Sequence, residues 1–155
     1  MTSRHREYKT KRYLLSILAN TYILIILIFI NPAYGLSDKP SFTFEEKLLT
    51  HINQYRIKNG LHPLYFDETL NNLAKGHSWD TYDKKDLNHD NFYERFEQCG
   101  RSLCVENVGW NHPTPEAQFK AWKNSKGHNT NMLKKKVKYC GISRIGTYVT
   151  FFACN

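Results

Sequence analysis

The chain has 155 residues, of which 41% are hydrophobic and 14% aromatic; this fits one folded domain with a modest core and excludes a disordered or low-complexity polypeptide. Its formal net charge is +8. Half of that excess sits in Arg4, Arg6, Lys9, Lys11 and Arg12 against Glu7, ahead of an apolar run, so the total does not mark a nucleic-acid surface. The other local basic run, Lys134, Lys135, Lys136 and Lys138, reads as a solvated face with weak attraction to anionic surfaces, and no nucleic-acid-binding motif accompanies it.

The N-terminal segment reads as a targeting sequence. Its basic stretch is followed by an uncharged run from Tyr13 to Ser37, with an apolar heart over Tyr22–Ile30. Asn31-Pro32 then breaks any helix, and the small residues Ala33 and Gly35 match a signal-peptidase site before Leu36. Residues 1–35 are therefore expected to be a signal peptide. The rival reading is a retained signal anchor over residues 13–30, since the run is near the ~18-residue length that spans a bilayer. In either reading the remainder, a linker over 36–42 and a domain over 43–155, faces an oxidising compartment: secreted, extracellular or periplasmic.

Thr43-Phe44-Glu45-Glu46 is a capping box, in which a hydroxyl and a carboxylate satisfy free amides at a helix start. The helix should run to about Asn59, with Leu48, Leu49, Ile52 and Tyr55 on one stripe and Gly60 beyond its end. His62-Pro63 opens a turn, and Asp67 is the next N-cap. Leu70, Leu73, Ala74 and His77 share a face of the helix that follows, which reaches about Tyr82. Asp83–Asn91 is polar and loop-like. Phe92–Gln98 can form a short helix that buries Phe92 and Phe96 and is pinned by a salt bridge from Arg95. Val105–Trp110 has strand character. Thr114 and Pro115 start another helix, with Phe119 and Trp122 pointing inward and Gly127 at its end.

Tyr139–Ile145 and Val149–Cys154 read as an antiparallel hairpin around Gly146-Thr147-Tyr148, with Ile145 opposite Val149 and Ile142 sharing a face with Phe152. Both faces are apolar, so the pair should be covered on both sides. Helices early, strands late and a two-sided sheet predict an α+β fold, a three-layer α-β-α sandwich with a small antiparallel sheet. The four cysteines, Cys99, Cys104, Cys140 and Cys154, all follow the leader, and an even count in a small exported domain reads as two disulfides. Of the three pairings, Cys99–Cys104, closing a short loop, and Cys140–Cys154, set by the hairpin register, are expected.

Several phrases, in order, resemble one family. They are Asn53–Leu64, Leu73–Asp80, Asn88-His89, Glu106-Asn107-Val108, Ala121–Leu133 and Gly141-Ile142. Together they are similar to the CAP superfamily of cysteine-rich secretory, antigen 5 and pathogenesis-related proteins, in its short bacterial form, over roughly residues 43–155. The resemblance implies a cleft holding His89, Glu106 and His128. The second acid of longer members would fall three residues after Trp122, where this chain has Ser125. Two imidazoles and one carboxylate suit Zn2+ or another divalent cation, and Glu106 is the candidate acid or base. Asn107 is expected to buttress Glu106.

Taken one at a time, these residues have plainer readings. His89 can be a solvated loop residue, Glu106 a strand-end hydrogen-bonding group and His128 a helix C-terminal cation. His77, beside Ser78, fits a buried histidine better than a catalytic one, and the Ser125–His128 spacing is interrupted by Gly127. Trp79, Trp110 and Trp122 read as core or cleft wall. The function expected is a secreted, monomeric binding module without turnover, its ligand a protein or a lipid and its only membrane contact an uncleaved leader. A metal-assisted hydrolase using His89, Glu106 and His128 is the alternative, weakened by the missing acid. A surface protein with a vestigial cleft is the third.

Overall fold

The computed structural model describes residues 41–155. The expected signal peptide or anchor and most of the linker lie outside the described residues. Residues Phe42–Asn155 form one compact unit.

Local chemistry places the helices. α1 (Phe44–Lys58) starts at the Thr43/Glu46 capping box, with both reciprocal hydrogen bonds present, and Gly60 follows its end at φ +71°. β1 (Tyr65–Phe66) is a two-residue strand that the sequence patterning does not announce. α2 (Glu68–Lys84) is capped by the Asp67 carboxylate, which accepts from the Leu70 amide. α3 spans Phe92–Cys99 and β2 spans Cys104–Trp110. α4 (Pro115–Asn124) begins with Thr114 as cap and proline in its first turn. It ends at Ser125, whose extended backbone (φ −91°, ψ 119°) also opens α5 (Lys126–Met132). Gly127 thus lies inside α5 and does not end α4, and His128 belongs to the first turn of a helix instead of following a helix end.

β3 (Tyr139–Ile145) and β4 (Tyr148–Cys154) complete a four-stranded sheet of order β1-β3-β4-β2, antiparallel except for the β1–β3 pair. The hairpin turn has two residues, Gly146-Thr147, with Gly146 at φ +58°, the glycine-first pattern of a tight primed turn. Ile145 therefore faces Tyr148, not Val149. The one-residue difference moves every later partner: Cys140 opposes Ala153, and Ile142 shares its face with Phe151, not Phe152. The expected Cys140–Cys154 disulfide is excluded by this register. The bridge forms instead between Cys104 and Cys154, which are opposed on β2 and β4; the expected Cys99–Cys104 bridge is therefore absent too, and Cys99 and Cys140 are free.

The sheet is covered on both faces, as its two apolar faces require. On one side α1 and α4 pack Leu48, Ile52 and Trp122 against Cys140, Ile142, Val149, Phe151 and Ala153. On the other, Leu70 and Ala74 of α2 pack on Phe152 and Cys154. Gly141 lets α2 approach closely, since a Cβ there would collide with the Leu70 backbone. Two buried arginines shape this core. Arg56, fully buried, donates to the carbonyls of His62, Met132, Lys134 and Val137, holding the chain between α5 and β3. In α3 the buried residue is Arg95, while Phe92 and Phe96 are half-buried. Of the three tryptophans only Trp122 is core: Trp79 and Trp110 are 55% and 52% exposed, flanking Tyr82 and Tyr148.

Candidate functional site

β2 alternates its side chains between the two layers. Asn107 faces the α4–α5 layer and Glu106 the α2–α3 layer. Among the described residues Glu106 is the acid at which the most side chains converge. Its side chain is 1% exposed. Arg95, reaching across from α3, donates from Nε to Oε2 and from Nη2 to Oε1, both at 2.9 Å. This fork is anchored in turn by Arg95 Nη1 on the Asp90 carbonyl at 2.7 Å. The salt bridge expected of Arg95 therefore falls on the candidate acid itself. A buried carboxylate needs such a partner to stay ionised.

His89, in the loop after α2, completes the set. Its Nδ1 lies 2.8 Å from Glu106 Oε1, and its side chain is 52% exposed. A carboxylate can only accept, so Nδ1 is the donor; when the ring is neutral, Nε2 is the lone pair and faces away from the acid. His77 approaches the same oxygen from α2, with Nε2 at 3.6 Å from Oε1 and 2.9 Å from the Asn88 carbonyl. Nε2 is then its donor, and its buried Nδ1 has no partner. Burial pushes the His77 imidazole below its usual pKa against the pull of Glu106, with Arg95 adding repulsion. Ser78 next to it donates to the Ser143 carbonyl and meets Thr150 Oγ1, both at 2.9 Å, so the two residues are not a nucleophile–base pair.

The backbone of this strand is tied to α5 by amides. Asn107, fully buried, donates from Nδ2 to the His128 carbonyl at 3.0 Å. Asn131 donates from Nδ2 to the Glu106 carbonyl at 2.9 Å and to Asn107 Oδ1 at 3.0 Å. Asn131 is the participant that sequence reading missed, while Arg95 was read as a salt-bridging residue without its partner; Asn131 lies inside the Ala121–Leu133 phrase, and three residues after His128 is the helical spacing that would have suggested it. His128 itself is half-buried, and its pKa is lowered, chiefly by burial. No hydrogen bond joins His128 to Glu106 among the described residues. Ser125, half-buried at the α4–α5 junction, offers its carbonyl to the Asn129 amide and brings no acid to the group.

The group opens on a depression of about 630 Å3 whose wall includes His89, Phe92, Cys104, Glu106 and Asn131. A second, of about 540 Å3, lies on the α2–α3 side and is lined by His77, Asp80, Glu94 and Arg95. The buried Arg95–Glu106 pair thus contributes to both walls.

Comparison with known proteins agrees with this architecture. The family model described as Cysteine-rich secretory protein family matches residues 49–155. The chain is 33% identical over 109 residues to the uncharacterized protein YkwD of Bacillus subtilis, an alignment covering 66% of this chain and 42% of that protein. It is 27% identical over 120 residues to the uncharacterized membrane protein YlbC of the same organism, covering 70% and 33%. The chain thus spans less than half the length of these curated relatives. Among solved structures, an extracellular protein with an SCP domain from Bacillus anthracis superposes with a TM-score of 0.68 at 24% identity, over 72% of this chain and 40% of the other. An outer surface protein of Borrelia burgdorferi superposes with a TM-score of 0.66 at 20% identity, over 74% and 96%. At these identities the likeness is one of fold. Among the described residues no helix is long and apolar enough to cross a membrane.

Proposed function

Since the chain belongs to the cysteine-rich secretory protein (CAP) family, we propose that it is an extracellular binding module whose cleft, between α3, β2 and α5, takes a divalent cation through His89 and His128. The observation that carries this reading is the hydrogen-bond chain Arg95–Glu106–His89. It commits His89 Nδ1 as a donor to the acid and so makes Nε2 the atom that would meet a cation, while burial lowers the pKa of His128. Two neutral imidazoles are good donors for zinc. Glu106 would then act behind His89, fixing its tautomer and raising its basicity, as carboxylates behind metal-bound histidines do. A bound cation would supply a Lewis-acidic point for a carboxylate or phosphate group of a ligand.

The same chain weighs against the hydrolase alternative. A general base needs a carboxylate free to take a proton, and both oxygens of Glu106 are held by Arg95. Ser125, at the position of the second acid, supplies no replacement. Extracellular placement is supported by the solved neighbours and by the basic and apolar leader. The nature of the macromolecular ligand, protein or lipid, is the part of this proposal that a ligand screen must supply.

Calorimetric titration of zinc into the purified chain tests the cation site. Saturable binding in the wild type that is lost in His89→Ala/His128→Ala supports the reading. Equal heats in both proteins refute it.

A further inference from the structure

Three of the four sulfurs converge outside the histidine–glutamate group. Cys104 and Cys154 are bridged across the β2–β4 ladder. The Cys99 sulfur, at the end of α3, lies 3.4 Å from Cys104 Sγ and 3.9 Å from Cys154 Sγ. All three sit within 4.8 Å of one another. The fourth is out of reach. Cys140 opposes Ala153 and is fully buried with Ile142 and Phe151 on the other face of the sheet, where desolvation also pushes its thiol well up. Any one bridge within the trio leaves one thiol over, and the sheet itself stands between that thiol and Cys140.

We propose that Cys99, Cys104 and Cys154 form a thiol–disulfide exchange centre, in which the bridge migrates between Cys104–Cys154 and Cys99–Cys104. The step is redox-neutral. Cys99 loses its proton to solvent, and the thiolate attacks Cys104 Sγ. The Cys99–Cys104 bond forms as the Cys104–Cys154 bond breaks, and the electron pair leaves on Cys154, which takes up a proton. Cys104 is the pivot because it is the nearer of the two sulfurs, and the attack requires the Cys99 side chain to swing from its place beside the Cys104–Cys154 bond into line with it. In the resting state the Cys99 thiol donates to the Phe96 carbonyl at 3.0 Å, so exchange requires that hydrogen bond to break and the proton to leave.

The two states differ in what they expose. With Cys104–Cys154 bridged, the odd thiol is Cys99, which is half-buried; with Cys99–Cys104 bridged, it is Cys154, which is fully buried. Migration therefore hides or presents a reactive thiol. In the presented state Cys99 can take a small external disulfide, forming a mixed disulfide and releasing the other half as a thiolate. Cys104 also lies in the wall of the depression beside Glu106, and Cys99 ends the helix that carries Arg95. Moving the bridge ties the helix of Arg95 directly to the strand of Glu106.

The test is a non-reducing peptide map of the full chain, held at pH 8 without reductant, quenched in acid and digested at low pH. Both the Cys104–Cys154 and the Cys99–Cys104 linked peptides are expected. In Cys154→Ser, a Cys99–Cys104 bridge is expected, leaving Cys140 as the one remaining thiol, titratable only after denaturation. The Cys104–Cys154 peptide alone in the wild type after hours at pH 8 overturns the proposal, and so does any Cys140-linked peptide from native protein. The wild-type map decides the matter even if the serine variant does not fold.

Discussion

Replacing Arg95 with methionine removes the counter-charge of Glu106 while keeping most of the side-chain length. The carboxylate left behind has a side chain 1% exposed and loses two hydrogen bonds of 2.9 Å. Removing one partner of a buried ion pair costs about 3–5 kcal/mol, since the survivor stays desolvated. His89, half-exposed and 2.8 Å from Oε1, offsets part of this by donating from Nδ1 to the carboxylate, so a loss of about 3 kcal/mol at pH 8 is expected from urea unfolding. Arg95→Met/Glu106→Leu, which removes both charges, should recover more than half of the loss. A deficit under about 1 kcal/mol, or no recovery in the double variant, would refute the picture of Glu106 as a buried ion held by Arg95.

Other outcomes follow from the same geometry. His77 has a folded-state pKa held below its unfolded value, chiefly by burial, so its contribution is present above the unfolded pKa and lost as pH falls below about 6.5; melting temperatures taken from pH 8 to pH 5 should fall less steeply in His77→Gln than in the wild type. The Cys104–Cys154 bridge closes a separation of 50 residues, so phosphine reduction should cost about 4 kcal/mol on the chain-entropy model, read as a shift of the denaturant midpoint. Arg56→Met strips the carbonyls of Met132, Lys134 and Val137 of their buried donor and should cost at least about 2 kcal/mol in the same assay. Gly141→Ala drives a methyl into the Leu70 backbone and should cost about 3 kcal/mol or leave the chain unfolded; wild-type stability in this variant would mean that α2 does not lie against β3.

The parts of the fold that depend on a few neighbouring residues were legible in the sequence. Thr43 with Glu46, Asp67, and Thr114 with Pro115 announce helix starts because the groups that satisfy the free amides lie within three residues of them. The two-sided sheet was legible for the same reason, since its strands read as apolar on alternate and intervening positions alike. The phrases around His89, Glu106 and His128 pointed to the family, and of these residues His89 and Glu106 meet in a hydrogen bond.

What the sequence left open turned on distance and parity. The hairpin register hung on whether Tyr148 belonged to the turn or to β4. Placing it in β4 exchanges the partner of Cys140 from Cys154 to Ala153 and sends the bridge to Cys104. Strand side chains alternate, so a slip of one residue carries a sulfur to the opposite face. The buried arginines were illegible for a different reason. A charge is tolerated inside only where its partners meet it, and the partners of Arg56 lie as far as 81 residues along the chain, while Glu106 reaches Arg95 only once β2 has paired with β4 and α3 has closed over it. Sequence by itself determined the longer elements and the family, though not β1 or α5; the tertiary structure decided which charges and which sulfurs face one another, because those pairings exist only after the layers are stacked.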